Sequence, residues 1–195
     1  QSRNRGVRVS GSELVGLIPL DALISAGKYY LKQQHRSTGI PAMDIIHIAV
    51  KSMGLDDLSP FDPKKKIIEY RIKDLNGPLA SKTIHTFVDD LSSDSPAPGG
   101  GSVSALAGTL AASLTAMVAN LTIGKKKWDP LYDQMCRIGQ ESQSLKEELL
   151  SLIDADTEAF NHVLESHRLP QITEDQIALR NEMIDRAMKD ASNIP

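Results

Sequence analysis

With 195 residues, 41% hydrophobic but only 4% aromatic, the chain has room for one domain or a domain and a piece of another, and its core must be aliphatic and alanine-rich, which favours helices over a β-sandwich. The net charge of −3 hides an asymmetry: residues 1–75 carry twelve basic and eight acidic side chains, a net +4, while residues 76–195 carry ten and seventeen, a net −7. Neither half has the basic stripe with interleaved aromatics that nucleic-acid binding needs, and the lone Cys136 excludes an internal disulfide framework and fits a reducing cytoplasm.

The chain opens on a polar, loose Gln1–Gly6 with no visible signal peptide. Gly11-Ser12-Glu13 leads into Leu14-Val15-Gly16-Leu17-Ile18, an apolar run closed by Pro19 that predicts a buried strand. Leu20–Gln34 predicts a helix with Leu20, Leu23, Ile24 and Leu31 on one side. Pro41–Met53 predicts a second, with Ile45, Ile46, Ala49 and Val50 inward and Gly54 as its stop. Lys66–Ile72 alternates as a strand does, which makes residues 1–75 a small α/β segment. Residues 76–82, around Asn76-Gly77-Pro78, read as a linker. From residue 83 to 195 the pattern is helical. Thr83–Leu91 is one helix, Asp129-Pro130 starts another that runs to about His167, and Thr173–Ala191 is the last. No element closes this bundle, so it is expected to be incomplete at its C-terminus.

Between these helices stands Pro98-Gly99-Gly100-Gly101-Ser102, followed by more than twenty residues without a charge. Three glycines are poor helix interior. They predict a tight loop ending on a helix N-terminus, with Ser102 as a cap and free N–H groups that favour an anion. The uncharged run has the length of a membrane span. It carries Ser102, Ser104, Thr109, Ser113, Thr115, Asn120 and Thr122, however, and Ala105, Gly108, Ala112 and Ala116 repeat on one face. That pattern predicts a helix buried on nearly all sides in a bundle, not a membrane span. Lys125, Lys126 and Lys127 follow as a block that can serve either as a solvated helix end or as an anion attractor.

The long helix carries Asp154 and Asp156, which helical phase separates. Leu145, Leu149, Leu152, Ile153, Phe160 and Val163 form an apolar stripe, and Asp156 falls near its middle. Asp154 falls opposite, with Glu147, Glu158, Asn161 and Glu165, and is expected to be a solvated surface charge. A carboxylate placed like Asp156 must be hydrogen-bonded, ion-paired or protonated. It could be a proton-transfer group or a cap on a neighbouring helix, and phase alone leaves both readings open. His162 and His167 read as surface histidines, Cys136 has no activating partner, and no residue set has metal-ligand spacing.

Ala97-Pro98-Gly99-Gly100-Gly101-Ser102-Val103, the alanine-rich helix, Gly124-Lys125-Lys126-Lys127 and Ile153-Asp154-Ala155-Asp156-Thr157-Glu158-Ala159-Phe160 together resemble the formiminotetrahydrofolate cyclodeaminase family. Residues 1–75, notably Gly11-Ser12-Glu13-Leu14-Val15-Gly16-Leu17-Ile18-Pro19, resemble the C-terminal end of a glutamate formiminotransferase domain. The whole looks like the middle of a bifunctional formiminotransferase-cyclodeaminase of histidine degradation. The resemblance implies a mainly α helical bundle of the cyclodeaminase/cyclohydrolase type, preceded by the small α/β remnant. It implies a homodimer or a larger ring of dimers, and conversion of 5-formimidoyltetrahydrofolate, polyglutamylated, to 5,10-methenyltetrahydrofolate and ammonia with no bound cofactor or metal. It makes Asp156 the catalytic acid/base. Gly99, Gly100, Gly101, Ser102, Lys125, Lys126 and Lys127 become candidates for folate binding: the glycine loop through its N–H groups, the lysines through the glutamate tail. None of the five histidines occupies the transferase's catalytic motif, so no transferase activity is expected from these residues. A methenyltetrahydrofolate cyclohydrolase, or a helical assembly module without catalysis, would use the same residues differently.

Overall fold

A computed structural model describes Gly6, residues 12–72 and residues 77–194; most of the expected N-terminal loose segment, Gly11, residues 73–75, the first linker residue Asn76 and Pro195 lie outside them. The described residues form eight α-helices: α1 Leu20–Gln33, α2 Ala42–Met53, α3 Pro63–Lys66, α4 Ile68–Ile72, α5 Ile84–Leu91, α6 Gly100–Thr122, α7 Tyr132–His167 and α8 Glu174–Ser192, with a 3-10 helix at Lys126–Leu131. They gather into two compact units. One takes residues 1–75 and 114–143, the other residues 76–113 and 144–195, so α6 and α7 each contribute to both.

In the first unit α1 follows Pro19, and Glu69 Oε2 accepts from the Leu20 N–H at 2.8 Å, standing in for the missing cap. Gly54, at φ 68°, ends α2 in the left-handed conformation that glycine takes without strain. Leu23, Ile46, Ala49, Val50 and Ile67 make the core. At Gly27 a Cβ would stand 2.3 Å from the Ile45 carbonyl oxygen, so glycine is what lets α1 and α2 touch.

The two expected strands are not there. Leu14–Ile18 contributes one isolated parallel bridge, Ile18 to Ile67, and Val15 is 90% exposed. Lys66–Ile72 is mostly helical: Asp62 accepts from the Lys64 N–H and Pro63 occupies the first helical position, which starts α3, and α4 follows directly after Ile67. Each apolar run was too short for its period to decide between helix and strand. The α/β remnant is therefore helical among the described residues, with a single bridge.

A polar clasp closes this unit. The Ser37 hydroxyl donates to Asn120 Oδ1 at 2.5 Å, and Asn120 Nδ2 and Gln143 Nε2 both donate to the Gly39 carbonyl at 3.1 Å. Gln140 Nε2 donates to Thr38 Oγ1 at 2.9 Å. A Cβ on Gly39 would lie 2.5 Å from the Gly139 backbone, so the two chains meet main chain to main chain.

In the second unit Leu79, Phe87, Ala105 and Ile153 form the core. Thr83 caps α5, and Thr173 with Gln176 forms a capping box on α8. α6 runs through both units, and its small face is the packed one: Ala105 in the second unit and Ala116 in the first are buried, and a Cβ on Gly108 would lie 3.1 Å from Leu149 Cδ1. The opposite face is not covered. Val103, Leu110, Leu114, Met117 and Leu121 stand exposed along it, which overturns the expectation of burial on nearly all sides. The small residues draw neighbours to one side only and leave the large aliphatic ones outward. Among the described residues α6 is the one helix long and apolar enough to cross a membrane by length and composition.

Candidate active site

The glycine loop is shorter than expected. The helix already begins at Gly100, so Gly100 and Gly101 are its first two residues, Gly99 accepts the first helical bond from the Val103 N–H, and Ser102 lies inside the first turn rather than capping it. The penalty of roughly 1 kcal/mol per glycine belongs to the helix interior, and these two stand at its start. The chain arrives through a cis Ala97–Pro98 bond with Pro98 buried.

What meets this helix start is Asp156. The Ser102 N–H donates to Asp156 Oδ2 at 2.9 Å, and the Ser102 Oγ lies 3.1 Å from the same oxygen. Ser102 itself is 0% exposed; its hydroxyl also reaches the Ile153 carbonyl at 2.8 Å and Thr157 Oγ1 at 3.2 Å. A Cβ on Gly101 would fall 2.1 Å from Asp156 Oδ1, so only glycine allows the carboxylate to stand this close. Asp156 is half-buried, and among the described residues its Oδ1 makes no hydrogen bond. One oxygen is thus held at the positive end of a helix dipole and the other is open to a visitor. A carboxylate fixed in this way can exchange a proton without having to be oriented first.

Asp154 is the correction. It is not a solvated charge: it is 8% exposed and both its oxygens are taken, Oδ1 by the Leu79 N–H at 2.7 Å and Oδ2 by the Ala80 N–H at 3.0 Å. A Cβ on Gly77 would come 2.1 Å from Oδ2. The turn at 77–82, closed by Ser81 N–H to the Gly77 carbonyl, lies on this side of α7 and supplies amides that an amphipathic wheel cannot foresee. The stripe expected to surround Asp156 is also looser than predicted: Ile153 is buried, but Leu145 and Phe160 are exposed.

The structure therefore brings Gly101, Ser102 and Asp156 together and adds Thr157, which the sequence did not single out. The signal available for this site was the glycine itself, set where a side chain from α7 arrives. Gly99 and Gly100 border open space, with only the Pro96 carbonyl at 3.9 Å from a Cβ on Gly99. Lys125, Lys126 and Lys127 belong to the other unit, are exposed, and make none of the bonds at Asp156; Lys127 Nζ stacks 4.8 Å over the Trp128 ring. Between α7 and α8 runs a groove of about 550 Å³ lined by Ala155, Glu158, His162, Met183, Arg186 and Asp190, with Asp156 outside it. Among the described residues no group of three His, Cys, Asp or Glu side chains is placed to hold a metal ion.

Comparison with known proteins gives two family matches. The family model described as Formiminotransferase-cyclodeaminase matches residues 83–195, and the one described as Formiminotransferase domain matches residues 1–73. The formimidoyltransferase-cyclodeaminase of Mus musculus is 35% identical over 206 residues, and that of Dictyostelium discoideum 39% over 197; each alignment covers 100% of this chain and 36% of the relative. The chain thus spans just over a third of the length of these curated relatives. A methenyltetrahydrofolate cyclohydrolase of Methylorubrum extorquens is 39% identical over 115 residues, 59% of this chain and 55% of that protein.

Proposed function

The chain belongs to the formiminotransferase-cyclodeaminase family, and from that premise we propose that it is a folate-dependent ammonia lyase, converting 5-formimidoyltetrahydrofolate to 5,10-methenyltetrahydrofolate and ammonia, with Asp156 as the acid/base. The observation that carries the reading is the Asp156 carboxyl: Oδ2 tied to Ser102, Oδ1 free beside a glycine that leaves room. Ring closure asks for such a group. N10 of the folate attacks the formimidoyl carbon, and Oδ1 takes the proton that N10 sheds. The same oxygen returns a proton to the formimidoyl nitrogen; with one more from solvent, the C–N bond breaks and ammonia leaves. The carbon is left bonded to N5 and N10.

The open space beside Gly99 and Gly100 supports a folate approaching the start of α6, where first-turn N–H groups face it. We assign Lys125, Lys126 and Lys127 to the glutamate tail on their charge and exposure alone. The uncovered aliphatic face of α6 supports a homodimer or a ring of dimers, and the single cysteine a cytoplasmic setting. Replacing Asp156 by Asn tests the central assignment. Ammonia release from 5-formimidoyltetrahydrofolate should fall about 10²–10⁴-fold while the fold and oligomer persist; undiminished turnover would remove Asp156 from the mechanism. The relative named as a methenyltetrahydrofolate cyclohydrolase favours one second reading, hydrolysis of the methenyl compound. Assaying both substrates with the same protein separates the two.

A further inference from the structure

We infer that Ser102 is a positioning residue for Asp156 and makes no contact with the substrate; this rests on the reading of Asp156 as the acid/base. Ser102 is wholly buried, so its hydroxyl cannot reach a ligand in the open space before α6. Its polar atoms are spent inward. The N–H holds Asp156 Oδ2, and the hydroxyl sits between Oδ2, the Ile153 carbonyl and the Thr157 hydroxyl.

A serine hydroxyl has one hydrogen and can also accept. With the carboxylate ionised, Ser102 turns its hydrogen to Oδ2, and the Thr157 hydroxyl donates to Ser102 Oγ. With a proton on Oδ2, that O–H donates to Ser102 Oγ, and Ser102 turns its hydrogen to the Ile153 carbonyl. With the proton on Oδ1, Ser102 keeps donating to Oδ2. Every state is satisfied by rotating hydrogens while the heavy atoms stay in place. The acid can therefore load and unload its proton without moving, which is the kind of preorganisation that lowers a barrier. Thr157, one residue on along α7, completes the relay.

Two substitutions distinguish this role from packing. Ser102→Ala removes the hydroxyl and keeps the N–H. Ser102→Cys fills the same space with a weak donor. Both are expected to lower kcat for ammonia release about tenfold with KM changed less than twofold, and circular dichroism should show the helices intact. If packing alone mattered, Ser102→Cys would keep a normal kcat, which overturns the inference. Asp156→Asn is run alongside: if it abolishes turnover while both Ser102 variants keep theirs, Ser102 is not a positioning residue and the reading of Asp156 stands. If Asp156→Asn keeps turnover, that reading falls and takes this one with it. A crystal structure of Ser102→Ala gives a readout without turnover. Asp156 is expected in more than one rotamer, and a carboxylate that holds its single place overturns the inference.

Discussion

The 77–80 turn and the 100–102 helix start meet the same helix through the same device, and the outcomes differ. At each, a glycine stands where a Cβ would fall 2.1 Å from a carboxylate oxygen of α7, and main-chain N–H donates to that carboxylate, two groups to Asp154 and one to Asp156. Asp154 spends both oxygens on Leu79 and Ala80 and is buried. Asp156 spends one on Ser102 and keeps the other free. Residue type and helix position are nearly shared, so the number of occupied oxygens is what separates the anchor from the acid proposed to exchange a proton.

Asp156→Asn should have the largest effect, on turnover and little on stability, as given above. Next, Gly101→Ala pushes a methyl against Oδ1 and displaces the open oxygen. Steady-state assays should show kcat down about 10²-fold, the cost of misplacing a reacting group by about 1 Å, and a normal kcat would mean that oxygen is idle. Asp154→Asn should show the opposite profile. Its amide group turns a donor toward the buried Leu79 N–H or the half-buried Ala80 N–H, so urea unfolding should report a loss of about 1–3 kcal/mol, with kcat per folded molecule kept. A catalytic defect without a stability defect would erase the contrast between the two acids. Smallest is Gly77→Ala, which overpacks the anchor and should cost about 1–2 kcal/mol in the same titration, again without a change in kcat.

Much of the helical frame was legible because its punctuation is local. Pro41 and Gly54 bracket α2, Thr83 opens α5, and Thr173 with Gln176 opens α8. Leu14–Ile18 and Lys66–Ile72 misled because each is shorter than the window in which periods 2 and 3.6 part company. Helical phase set Asp156 against a neighbouring helix, and it lies there, but Leu145 and Phe160, part of the stripe that suggested it, are exposed. Asp154 was illegible for a physical reason. Its partners are two main-chain amides more than seventy residues away, and an amide belongs to every residue type except proline. The glycines at 77 and 101 were the better clue, since each marks a place where something large must come close.

The Ser37–Gly39 clasp has a consequence for ancestry. Its loop lies in the segment akin to formiminotransferases, while Asn120, Gln140 and Gln143 lie in the segment akin to cyclodeaminases. If two once-independent genes were joined here, the seam in the reading frame is not the seam along which the polypeptide comes apart. Parting the chain between residues 73 and 83 would strip the Asn120 and Gln143 amides of the Gly39 carbonyl, leave Gln140 with the Cys136 carbonyl alone, and lay bare the Gly139 backbone.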